Sequence, residues 1–115
     1  MKRKIIEEKS FDFALSIIAL YKLLSKNNEY ILSRQILKSG TSIGANVQEA
    51  QAAQTKKDFI TKMSIASKEA RETLYWIKLL EASNIISFDY NELKAESQSI
   101  IRVLTAIVKT AQKNS

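Results

Sequence analysis

The sequence predicts an all-α fold, an antiparallel up-down-up-down four-helix bundle, and three observations carry that prediction. The 115-residue chain has no proline and two glycines, so it lacks the turn residues that a sheet protein needs at every connection. Four segments repeat apolar residues at alternating spacings of four and three, the period of one helix face. The connections between them, roughly 27–29, 54–55 and 84–88, are short, and short connections between long helices force antiparallel neighbours. Hydrophobic residues make up 45% and charged residues 26%, which is the balance of a soluble globular chain, read here as one domain over residues 1–115.

Helix one is expected from Ser10, a favourable N-cap, to about Lys26, where Asn27 and Asn28 end it. Phe11, Leu15, Ile18 and Tyr21 form one apolar face, and Phe13, Ile17, Leu20 and Leu24 form a second. A small bundle cannot bury both faces, so this helix predicts self-association. Helix two runs from about Tyr30 to about Ala53, with Leu32, Ile36, Ser39, Ile43, Asn46 and Ala50 as its seam and Val47 beside it. Helix three begins after Thr55, which with Asp58 has capping-box spacing. It presents Phe59, Met63, Ala66, Ala70, Thr73, Ile77 and Leu80 before ending near Ser83 and Asn84. Helix four starts at Asp89, with Glu92 completing a second capping box, and carries Leu93, Ser97, Ile100, Leu104, Ile107 and Ala111. Ile101 and Val108 widen that seam, and Gln112 to Ser115 should fray.

The centre of helix two departs from ordinary helix composition. Both glycines of the chain, Gly40 and Gly44, lie there four residues apart, among two serines, a threonine and an asparagine. Each interior glycine costs a helix about 1 kcal/mol relative to alanine. The gain that offsets this is close approach by another helix, with short polar side chains pairing inside the bundle. In a membrane helix a G-x-x-x-G would suggest dimerisation, but no apolar span long enough exists here. No strand precedes the glycines and no Gly-Lys-Ser/Thr follows, so they do not read as a phosphate loop.

The chain has no cysteine and no histidine. That removes disulfides, thiolate nucleophiles, most transition-metal sites and the usual general acid-base residue, so the chain reads as a non-enzyme without cofactors. The N-terminal MKRKIIEEKS lacks the apolar core of a signal peptide, which makes a cytoplasmic location the expectation. Net charge is +6. Residues 1–57 hold ten basic and five acidic side chains, a surplus of five, whereas residues 58–115 hold eight and seven, a surplus of one. Such asymmetry permits a nucleic acid or an acidic protein as partner. Arg34, Lys38, Lys56 and Lys57 are the candidate phosphate contacts on or just after helix two, with Lys22 and Lys26 near the preceding turn. No helix-turn-helix, aromatic platform or zinc module accompanies them, so base-specific readout is not expected. Lys68, Glu69, Arg71 and Glu72 mix signs and read as a salt-bridged surface.

Ser42, Asn46 and Glu49 share one face of helix two, and Glu69, Glu72 and Tyr75 have comparable spacing on helix three. The favoured reading is a structural polar seam, with Ser42 and Asn46 hydrogen-bonded to Glu72 or Tyr75 to fix register. The alternative is an all-oxygen cation site using Glu49, Glu69 and Glu72. Trp76 falls at the edge of the seam, a position that suits a subunit interface.

The stretch RQILKSGTSIGANVQEAQAAQTKKDFITKMSIASKEARETLYWIKLL, Arg34 to Leu80, with IIRVLTAIVKTAQ, Ile100 to Gln112, resembles a bacterial family of four-helix-bundle proteins. Its members are encoded within intervening sequences of large-subunit ribosomal RNA genes, and some carry the misleading label of a ribosomal protein. The accessory variability determinant of diversity-generating retroelements is a structural relative. SGTSIGAN and KEARETLYW are the specific parts of the match. The resemblance implies a homopentamer and, by way of the retroelement relative, a basic surface that contacts RNA or DNA and partners a reverse transcriptase. One departure is Gln48, at a position often basic in the family pattern. The function expected is a non-enzymatic oligomeric adaptor that binds nucleic acid without reading its sequence; the alternative is a structural or protein-binding scaffold with no nucleic-acid role.

Overall fold

Four-three spacing of apolar residues folds the chain into α1 (Lys2–Lys26), α2 (Ile31–Gln51), α3 (Lys56–Ser83) and α4 (Asn91–Lys113). The computed structural model describes the backbone of residues 2–114 and the side chains of residues 5–114, with no strand among them. Each helix packs on its neighbours in chain order, and α1 closes the bundle against α4. The result is a rod of 47 × 21 × 19 Å. Its long axis matches helices of 21–28 residues at about 1.5 Å per residue. The four seams meet in one core, in which Phe13, Ile17, Leu24, Ile36, Ile43, Met63, Ile77, Leu80 and Leu104 are fully buried. All seven expected seam residues of α3 are buried, as are the five of α4 from Leu93 to Ile107; Ala111 is half-buried.

The connections are built from asparagine, side-chain caps and one buried aromatic. Asn28 (φ 64°) takes the left-handed conformation after α1. The Glu29 amide then donates to the Leu24 carbonyl at 2.9 Å, and the Asn28 amide to Ser25 at 3.0 Å, which together make a Schellman cap. Asn84 (φ 54°) ends α3 in the same left-handed region. The α2 N-terminus is capped from outside: the Glu29 carboxylate accepts from the amides of Ser33 (2.7 Å) and Ile31 (3.3 Å). Thr55 caps α3 as expected, its hydroxyl accepting from the Asp58 amide at 3.0 Å. Asp89 accepts from the Asn91 amide at 3.0 Å, while α4 itself begins two residues later than expected. Tyr90, edge-on to Phe88 with ring centroids 4.8 Å apart, is buried with no hydrogen-bond partner for its hydroxyl. Burial, then the nearby Glu81, pushes its phenol up from the ordinary value.

Three expectations about α1 and α2 are corrected. Ser10 is not an N-cap. It lies mid-helix, 1% exposed, and its hydroxyl donates to the Glu7 carbonyl at 3.2 Å. The helix runs on toward the N-terminus because Ile6 continues the buried heptad of Phe13 and Ile17, with Ser10 as its small member. On α2 the buried stripe is Ser33, Ile36, Ser39, Gly40, Ile43, Val47 and Ala50, so Leu32 and Asn46 fall at its edge. The stripe is rotated because α2 turns its glycine toward α1. A Cβ on Gly40 would lie 2.8 Å and 2.9 Å from the two γ-carbons of Ile17. A Cβ on Gly44 would meet Ser10 at 3.4 Å, an ordinary contact distance. The close approach expected of both glycines is therefore required at Gly40 alone.

Candidate nucleic-acid interface

The four candidate phosphate contacts do not converge within one subunit. Arg34 and Lys38 are exposed on the first two turns of α2; Lys56 and Lys57 are exposed on the first turn of α3. These turns lie at opposite ends of the rod, because α2 runs about 25 Å between Arg34 and Gln51. Lys22 and Lys26 share the end of Arg34 and Lys38. Lys56 donates to the backbone carbonyl of Asn114, tying the start of α3 to the end of α4.

The residues expected to form a polar seam have other partners instead. The Asn46 amide donates to the Ser42 carbonyl one turn earlier at 2.9 Å. Glu72 accepts from the Trp76 indole on its own helix at 3.3 Å, and Glu49 pairs with Lys62 at 2.9 Å. Hydrogen bonding to Glu49, reinforced by its charge, raises the pKa of Lys62. Besides the Glu49–Lys62 pair, a buried polar contact crosses between α2 and α3: Ser39 with Thr73, both fully buried, hydroxyl to hydroxyl at 2.8 Å. Thr73 also lies 2.8 Å from the Glu69 carbonyl, whereas Ser39 is 3.4 Å from that of Ile36. Each hydroxyl has one proton. The shorter distances fit Ser39 donating to Thr73 and Thr73 donating to Glu69. Both residues were visible as polar members of apolar seams at 4-3 spacing; their common level in the bundle was not.

The mixed signs of residues 68–72 also sort in space. Arg71 donates to Thr105 of α4 at 3.3 Å, while Glu72 is occupied by Trp76. Glu69 lies two turns after Lys62, which faces α2, so within residues 68–72 Glu69 lies toward α2 and Arg71 toward α4. Among the described residues, the salt bridges are Glu49–Lys62 and Glu81–Lys94 (2.8 Å), and no group of three or more Asp, Glu, His or Cys could hold a metal ion. Trp76 is half-buried and meets exposed Tyr75 edge-on at 5.4 Å. No helix among the described residues is long and apolar enough to cross a membrane.

The profile of the 23S rRNA-intervening sequence proteins matches residues 2–106. The chain belongs to that family. A crystal structure of a protein of unknown function from the S23 ribosomal protein family of Bacteroides thetaiotaomicron is 45% identical, with a TM-score of 0.90 over 95% of this chain and 99% of that one. No curated protein matches. The match to the 23S rRNA-intervening sequence family spans α1, α2, α3 and most of α4, a range that takes in SGTSIGAN on α2 and KEARETLYW on α3.

Proposed function

We propose that this protein is a non-enzymatic, oligomeric helical-bundle adaptor of the cytoplasm that holds nucleic acid without reading its sequence. The observation that carries this reading is its surplus of unneutralised cations. Arg34, Lys38 and Lys57 are exposed, and neither salt bridge among the described residues involves them. An oligomer multiplies such a field, and phosphate contact needs long cations rather than a base-reading motif. Self-association draws support from α1, where Phe11 is 64% and Leu15 53% exposed on one face. The family resemblance puts the copy number at five and suggests a reverse transcriptase as one class of protein partner. The absence of histidine and cysteine, and the dispersal of Glu49, Glu69 and Glu72, support a non-catalytic role.

The name of the family makes RNA the first probe. Fluorescence anisotropy with labelled RNA and DNA of several sequences should give similar affinities that fall steeply as salt rises, because binding releases counterions. No complex at low salt with any of them overturns this reading. It would leave the protein-binding scaffold, which the bare apolar face of α1 favours.

A further inference from the structure

We infer that the groove between α3 and α4 is the track that receives the phosphodiester backbone, an assignment that rests on the nucleic-acid reading above. Two adjoining stretches of this groove contain Lys56, Lys57, Arg71 and Lys109. Between the cations lie hydroxyl and amide side chains, among them Ser64, Ser67, Thr105 and Gln112, and no carboxylate lines either stretch. This absence is not a property of the sequence around it, since α3 also carries Asp58, Glu69 and Glu72 and α4 carries Glu92 and Glu96. Glu72 is held by Trp76, and Asp58 acts on Lys62, on the α2 side. Glu92 and Glu96 line the α1–α4 groove. Helix packing has sorted these acids to the other flanks and left this half of α3–α4 cationic; farther along, Glu81 of α3 is neutralised by Lys94 of α4 at 2.8 Å.

The chemistry of the lining suits phosphate. Lys57, Arg71 and Lys109 are exposed, and serine and threonine hydroxyls with a glutamine amide supply neutral donors for phosphate oxygens. The Arg71 guanidinium is positioned across the groove by its bond to Thr105. From Lys57 to Arg71 the track is about 21 Å long. No aromatic side chain lines it, so bases find no stacking platform and contact is confined to the backbone. In the cyclic order of the helices, α3–α4 lies opposite α1–α2, where Phe11 lines a groove with Thr41, Gly44 and Ala45 that is edged by Glu7, Glu8 and Asp12. Subunits joined through the α1 face leave the cationic groove turned outward.

The test compares K57Q/R71Q/K109Q with the charge-matched K22Q/R34Q/K38Q by anisotropy on labelled RNA and DNA, with circular dichroism melts of each. The groove variant should bind about tenfold or more weaker, and its plot of log affinity against log salt should flatten by about two to three units. The charge-matched variant should lose distinctly less. Ser64→Glu, an exposed position, removes no cation but places a carboxylate in the track and should also weaken binding. Equal losses in the two triple variants would mean that net charge alone matters and would overturn the groove. Unimpaired binding by the groove triple would do the same while leaving nucleic-acid binding intact. Failure of the unmodified protein to bind at low salt overturns both.

Discussion

Gly40 and Gly44 look alike in sequence and differ in what surrounds them. Ile17 is fully buried and β-branched, so its γ-carbons cannot swing away from a new Cβ at position 40. Gly40→Ala should therefore destabilise by about 1–3 kcal/mol despite the propensity gained, measured by urea denaturation. Gly44→Ala, at ordinary contact distance from Ser10, should be neutral or stabilising by up to about 1 kcal/mol. A reversed order would place the tight approach elsewhere. The Ser39–Thr73 pair allows a second test. Thr73→Val leaves a buried serine hydroxyl without its neighbour and should cost about 1–3 kcal/mol; S39A/T73V removes both polar groups and should recover much of that loss in a double-mutant cycle.

At the scale of elements, α1 departs most from its pattern-based boundaries. Its first two turns are anchored by Ile6, which is 0% exposed. Ile6→Ala should cost about 2–5 kcal/mol, a loss that a frayed, dispensable N-terminus would not show. The packing of α1 against α4 also carries an electrostatic strain. Desolvation, then repulsion from Glu92, raises the Glu96 pKa, with Lys9 opposing and Asp12 adding to the rise. A carboxyl raised in the folded state binds its proton more tightly there than in the unfolded chain. Its favourable contribution is full below the unfolded pKa and is lost as pH rises through the folded one. Glu96→Gln should accordingly raise the melting temperature at pH 7, and the gain should vanish as pH falls below the ordinary carboxylate range. A gain that persisted at acid pH would trace to packing instead.

For the whole molecule, the surfaces divide by chemistry. The outer face of α1 is apolar at Phe11 and Leu15, and the α3–α4 groove around Arg71 and Lys109 is cationic. Light scattering should report a species larger than the 13.0 kDa monomer at micromolar concentration. Phe11→Glu with Leu15→Glu should shift it toward the monomer while the helical signal remains, since neither side chain belongs to the core. An unchanged mass would place the subunit contact on another face, with the exposed Tyr75 and Leu79 of α3 the next to alter.

Four helices, their direction and most of their buried faces were legible along the chain, because the four-three repeat records which side of each helix avoids water. Thr55, Asn28 and Asn84 marked helix ends through local backbone chemistry that acts within a few residues. Even the longer α1 was readable, since Ile6 and Ser10 extend the heptad of Phe13 and Ile17; the N-cap preference of serine masked it. What stands opposite each face was not legible, because that depends on the rotation and level of helices distant in sequence. Only packing decided that Gly40 meets Ile17, that Ser39 meets Thr73, and that Arg34 and Lys57 lie at opposite ends of the rod. The run Lys68-Glu69-Ala70-Arg71-Glu72 reads as mixed charge because sequence lists its sides together. The helix turns successive residues about 100° apart, and its neighbours separate acid toward α2 from base toward α4.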